Sequence, residues 1–181
     1  MLASAAAGAT GMAIGRLAAT AGARTVGVVS TQEKVDVAAG YGFEEVFTND
    51  ELKAGAVSAS SVDVVLDSVG GTLRGSCWRM LAPFGMLIAY GNASGEPEKP
   101  IAPRDLRARN QRAGGFSINA LARMQPRLLS QLVQEAIATV AEGQLQIDIS
   151  LVLPLDQAAD AHRAVETRRS TGKVALTLDA A

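Results

Sequence analysis

With 181 residues the chain is long enough for one domain with a sizeable core. Its net charge of −1 suggests neither a nucleic acid nor an anionic membrane as partner. Cys77 is the only cysteine and His162 the only histidine, which excludes an intrachain disulfide framework and a Cys-rich zinc site.

The apolar pattern alternates between strand-like and helix-like pieces. A clipped strand over residues 2–5 is followed by a helix of small residues over 12–21, stopped by Gly22. Residues 25–29 read as an apolar strand covered on both faces. A second helix spans 31–39, with Thr31 as N-cap and Gly40 as its stop. Strands follow at 45–47, 62–67 and 85–90, with a helix over 72–81 between the last two. A long Gly-, Pro- and charge-rich loop covers 92–105, then a strand over 112–117 and the longest helix, 126–142, stopped by Gly143. A strand over 149–154, a helix over 155–169 and a strand over 173–178 complete the chain. They either extend the same sheet or pair with something absent from this chain.

Repeated strand–helix–strand units predict an α/β fold, a doubly wound parallel sheet with right-handed crossovers. The Ala-rich start has no positive n-region, and Gly8, Gly11 and Arg16 interrupt it, so no secretory leader is expected. No run is long and apolar enough to span a bilayer. A cytoplasmic protein is the expectation.

The first turn carries the form A-x-G-x-x-G in Ala6, Gly8 and Gly11. Gly8 would let the backbone approach a pyrophosphate, and Gly11 would let the helix pack close to the strand. The helix N-terminus adds free N–H groups and partial positive charge. A tight turn without a ligand is the competing reading of the same residues. At the end of the second strand an NAD site places an acid for the ribose 2′-OH. Here Ser30 stands in its place and Lys34 follows one turn later. A hydroxyl with an ammonium suits a 2′-phosphate, so NADPH is favoured over NADH, unless Lys34 is an ordinary solvated lysine. Asp67-Ser68-Val69-Gly70-Gly71 and Tyr90-Gly91-Asn92 lie at two further strand ends on the same edge, where ligands of open α/β sheets sit. Asp67 serves equally well as a cap for the helix that follows it. His162 lies in what reads as an ordinary helix surface, and no residue is assigned a catalytic role.

Taken in order, the Ala5–Gly11 turn, the Ser30 and Lys34 pair, Val64 to Gly71, Leu81-Ala82-Pro83-Phe84-Gly85, Gly91 to Gly95 and Thr171-Gly172-Lys173-Val174 resemble a family. It is the zinc-independent quinone oxidoreductase branch of the medium-chain dehydrogenase/reductase superfamily. The resemblance implies a Rossmann domain over 1–148 and a segment over 149–181 that returns to a GroES-like substrate domain. That substrate domain precedes the Rossmann domain in the family, so a truncated chain, or one completed by a partner, is expected. The last strands would then have unpaired edges. The implied reaction is hydride transfer from NADPH to a quinone or an activated alkene, without metal. Gly8, Ala9, Thr10 and Gly11 would meet the pyrophosphate, and Ser30 and Lys34 the 2′-phosphate. Ser68 and Val69 would lie near the adenosine. Tyr90, Gly91, Asn92, Phe116 and Ser117 would lie along the nicotinamide half. Homodimers through the sheet edge are common in the family.

The chain departs from the family pattern at Ala9-Thr10, where Gly-Val is usual, at Asn49, where Tyr is frequent, and at Arg16, where Gln is common. A short-chain dehydrogenase would need Lys four residues after Tyr, but Tyr41 is followed there by Glu45 and Tyr90 by Ser94. A methyltransferase would want an acid in place of Ser30. The non-enzymatic alternative is a truncated Rossmann module that binds nucleotide, or serves interaction, without turnover.

Overall fold

A computed structural model describes residues 1–167 and 170–178. The chain enters through β1 (Leu2–Ser4), buried along its whole length, and turns into α1 (Ala9–Thr20). β2 (Val26–Val29) is buried throughout as well. Such strands are apolar without alternation because both faces of a parallel sheet are covered. β3 (Glu45–Thr48), β4 (Val62–Asp67), β5 (Leu81–Ala89) and β6 (Arg112–Gly115) complete a six-stranded sheet. Its order is β3-β2-β1-β4-β5-β6, with every neighbouring pair parallel. This is the doubly wound Rossmann order, and the chain reverses direction of build between β1 and β4, which opens a crevice at their carboxyl ends.

Two cores lie on the two faces. Leu2, Val28, Val65 and Leu87 pack with α3 (Asn49–Ala54) and α4 (Gly71–Met80) through Leu52, Leu73 and Cys77. Ala3, Ala6 and Val29 pack with Met12 of α1, Ala38 of α2 (Val35–Ala39) and Tyr41 just beyond it. Alternate residues of β1 and β2 thus serve opposite cores, as the period of a strand requires.

Several elements differ from the sequence expectation. The first helix starts at Ala9 rather than 12, so the turn of small residues already belongs to it. The helix expected over 31–39 is a 3-10 turn, Gln32–Lys34, followed by α2. Thr31 holds the N-cap position, but its side chain makes no capping bond. β5 begins at Leu81, before the expected 85. Three short helices have no counterpart in the sequence expectation: α3, α5 (Pro103–Ala108), which begins inside the loop expected over 92–105, and α6 (Ile118–Met124). The sixth strand stops at Gly115 because Ser117 caps α6, its hydroxyl accepting from the Ala120 N–H at 3.2 Å. α7 (Pro126–Ala141) is the longest helix, and its apolar residues Leu128, Leu132, Ile137 and Val140 are exposed.

The last strands do not extend the main sheet, and each keeps one edge without a strand partner among the described residues. β7 (Ile149–Pro154) and β8 (Lys173–Thr177) pair with one another, parallel, in a sheet of their own. They are joined by a 3-10 turn, Leu155–Gln157, and α8 (Ala158–Glu166). The helix was expected to reach 169, and residues 168 and 169 lie outside the described residues. This unit is tied back to the sheet. The Gly172 N–H donates to the Ala7 carbonyl at 2.9 Å, and Arg16 pairs with Asp148 at 2.8 Å. Among the described residues no helix is long and apolar enough to cross a membrane.

Candidate functional site

The first turn is shaped by its own backbone. Ala5 takes a φ of 53° and its carbonyl accepts the Gly8 N–H at 3.0 Å. Gly8 is the N-cap of α1, with no side-chain hydrogen bond closing the helix start. The N–H groups of Ala9, Thr10 and Gly11 therefore open the helix toward the carboxyl edge of the sheet. Gly11 is needed for packing: an added Cβ would collide with the Ala5 carbonyl oxygen and lie 2.6 Å from that of Ala6. At Gly8 the same atom would sit 3.3 Å from the Ala5 oxygen, a tight but smaller conflict. Gly15, which the motif does not include, is equally constrained, with Phe43 Cε2 at 2.7 Å from its virtual Cβ.

A cavity of about 220 Å³ opens beside this turn. It brings together Gly8, Ser30, Lys34 and Val69 of the expected site, with Asn49 and Ala93. Ser30 is exposed at the end of β2, and the Lys34 ammonium donates to the Ser170 carbonyl at 3.3 Å. Val165 and Ser170 also line the cavity, so the C-terminal unit closes its outer side. Neither residue has a local sequence signature, because both arrive through the long-range docking of Gly172 beside Gly8.

Thr10, Tyr90 and Phe116 lie elsewhere, on a wider groove of about 430 Å³ that runs along Ile14, Leu66, Met86 and Ile88. The walls are apolar, and Phe116 is 52% exposed. The Tyr90 hydroxyl is buried without a hydrogen bond of sound geometry. Burial raises its pKa, with the nearby Ser68 side chain partly offsetting the rise. Gly91 packs so closely on Ser68 that a Cβ would meet the Ser68 carbonyl at 2.8 Å. The Asn92 side chain is engaged within its own loop: its amide donates to the Glu96 carbonyl at 3.3 Å and its oxygen accepts from Ser94 at 3.2 Å.

Between cavity and groove sits Asp67, fully buried at the end of β4. One carboxylate oxygen accepts from the Ser4 hydroxyl at 2.7 Å and the Val69 N–H at 3.0 Å. The other accepts from the Gly70 N–H at 3.1 Å and Arg74 Nε at 2.6 Å. The Ser4 hydroxyl oxygen in turn accepts the Ser68 N–H at 3.0 Å. Asp67 therefore braces the turn that carries Ser68 and Val69, a wider role than a helix cap.

Metal chemistry finds no matching ligand set. Among the described residues no group of three His, Cys, Asp or Glu could hold an ion. Burial pushes the Cys77 thiol up to about 12, far from the thiolate a metal needs. His162 is exposed on α8.

The sequence matches the family described as zinc-binding dehydrogenase over residues 33–176. It is 29% identical over 181 residues to a quinone oxidoreductase of Pseudomonas aeruginosa, covering 95% of this chain and 54% of that protein. A 2-haloacrylate reductase of a Burkholderia species is 30% identical over 164 residues, covering 86% of this chain and 48% of the relative. Among solved structures, mycobacterial Rv1454c complexed with NADPH superposes with a TM-score of 0.83 at 26% identity, over 97% of this chain and 55% of the other. The chain thus spans about half the length of the relatives it matches.

Proposed function

The chain belongs to the zinc-binding dehydrogenase family, and from that premise we propose that it is the NADPH-binding unit of an oxidoreductase acting on a quinone or an activated alkene. The observation that carries this reading is the cavity in which the Gly8 turn, Ser30, Lys34 and Val69 meet at the carboxyl edge of the sheet. A protein with these four features in one place can receive a pyrophosphate on backbone N–H groups and a 2′-phosphate on a hydroxyl and an ammonium. The residues fit the cofactor. The family's zinc is another matter, since the described residues offer no group of donors that suits it.

NADPH, when bound, supplies the hydride. The protein's part is binding and orientation. Gly8, Ala9, Thr10 and Gly11 hold the pyrophosphate, with Gly11 keeping α1 close to β1. Lys34 turns from the neutral Ser170 carbonyl to the 2′-phosphate, because a charged acceptor outcompetes an uncharged one. Ser68 and Val69 face the adenosine. Tyr90, Gly91, Asn92, Phe116 and Ser117 line the nicotinamide half, where the apolar groove offers a surface for a flat acceptor. The Ser117 hydroxyl accepts the Ala120 N–H as the α6 cap and keeps its donor and a second lone pair.

One feature favours a second reading, binding without turnover. The groove is open and its walls are largely apolar, so the chain alone offers little to exclude water or fix an acceptor. Calorimetric titration with NADPH and NADH tests the first step. NADPH should bind at least ~10-fold more tightly, and Lys34→Ala should remove that difference, a loss of about 1.5–3 kcal/mol for a hydrogen bond to a charged group. Equal affinity for both nucleotides, or binding of neither, contradicts the proposal. Turnover of NADPH with a quinone by the purified chain would exclude the binding-only reading.

A further inference from the structure

We infer that Arg74 is a positioning residue. It latches the loop after β5 onto the β4–α4 turn and thereby sets the nicotinamide half of the cofactor site. The inference rests on the reading of Gly91 and Asn92 as that half.

Arg74 projects from α4, and its side chain is only 11% exposed. Each guanidinium nitrogen has its own partner, one at the end of β4 and two at separate points of the loop after β5. Nε donates to Asp67 at the end of β4, Nη2 to the Gly91 carbonyl just after β5, and Nη1 to Glu98 farther along the same loop, all at 2.6 Å. The planar fork of arginine is suited to this three-way tie, and a lysine ammonium, a point charge on a flexible stem, is not. Burial opposes the charge of the guanidinium, and its hydrogen bonds to the Asp67 and Glu98 carboxylates outweigh that and raise its pKa.

The rest of the loop follows the latch. The Ala93 and Ser94 N–H groups both donate at 2.9 Å, to the Ser68 and Val69 carbonyls respectively. The Thr72 N–H donates to Glu96 at 2.8 Å. Gly70 and Gly71, at φ 77° and 57°, leave room for Asn92 and Glu96 to lie directly against the turn, where side chains would collide with them. Loop and turn are therefore zipped into one layer, and Arg74 is the side chain that joins its two ends to the buried carboxylate. Gly91 itself touches Ser68, so a shift of the loop moves both walls of the crevice between β4 and β5.

A purely structural arginine would affect all ligands alike. A latch at the nicotinamide end would not. The test is affinity for two ligands by calorimetry on the full chain: NADPH, and adenosine 2′,5′-bisphosphate, which carries the 2′-phosphate and the adenosine but lacks the nicotinamide half. Arg74→Gln should lower NADPH affinity ~10-fold and the bisphosphate only ~2-fold, through the turn at Ser68 and Val69. Glu98→Gln keeps the Asp67–Arg74 pair and should show the same split at ~3-fold. It also serves if Arg74→Gln fails to fold, since that variant leaves Asp67 without its cation. Equal losses for both ligands, or no loss for either, overturn the latch while the wild-type chain still binds the bisphosphate. A wild-type chain that binds neither ligand overturns the cofactor reading, and the latch falls with it.

Discussion

The carboxyl edge of the sheet has two ends that were built differently. Beside β1 and β2 the cavity is about 220 Å³, carries Lys34, and is closed by Val165 and Ser170 of the C-terminal unit. Beside β4, β5 and β6 the groove is about 430 Å³, apolar, and bordered by half-exposed Phe116. Recognition of phosphates needs N–H groups and a cation, which one strand–turn–helix unit can present by itself. A reaction chamber needs oriented groups and exclusion of water, which require surfaces from farther away. Grip on the adenosine half can therefore stand on this chain alone, whereas chemistry at the other end depends on what completes the groove.

The sharpest way to break the contrast is to remove what joins the two ends. Asp67→Ala strips the partner from Arg74 and from the Ser4 hydroxyl in a fully buried place. It should cost about 3–5 kcal/mol. The thermal midpoint should fall by roughly 10 °C, at about 2–4 °C per kcal/mol for a chain of this size. Gly11→Ala comes next. Its methyl must displace the Ala5–Ala6 backbone, at about 1–3 kcal/mol, whereas Gly8→Ala should leave the midpoint nearly unchanged and weaken nucleotide binding instead. Calorimetry beside thermal unfolding separates the two glycines. Thr48→Ala removes the cap of α3, whose first residue Asn49 lines the cavity, and should cost about 1 kcal/mol while weakening nucleotide binding less than Lys34→Ala. Phe116→Ala, at the open end, should change stability by about 0.5 kcal/mol or less. Cys77 supplies a label for the core beneath β4 and β5. Its thiol, buried and pushed up to about 12, should resist a maleimide at pH 8 until the protein is unfolded.

The sheet was legible because its strands are short apolar runs bounded by glycines, and β4 runs over 62–67 as expected. The motif glycine Gly11 was legible too, since spacing alone puts it where helix meets strand. What escaped was either short or distant. α3 starts with a reciprocal Thr48–Glu51 capping box, a T-x-x-E signal that was present in the sequence and overlooked. α6 hides behind Ser117, whose capping role shortens the strand before it. Ser170 and Arg74 carry no local pattern. One reaches the cavity from the far end of the chain, and the other gains its meaning only when Asp67, Gly91 and Glu98 are brought together. The pairing of β7 with β8 has no local signature for a related reason: nothing in either strand names its partner, and the pair still leaves its outer edges open.

The most direct test of the built-end, open-end account is amide hydrogen exchange of the wild-type chain with and without NADPH. The account predicts protection in residues 5–11, 30–34 and 68–69, extending to 170–172 because that segment closes the cavity, with little change over α7. Protection confined to other segments, or none at saturating nucleotide, would contradict it.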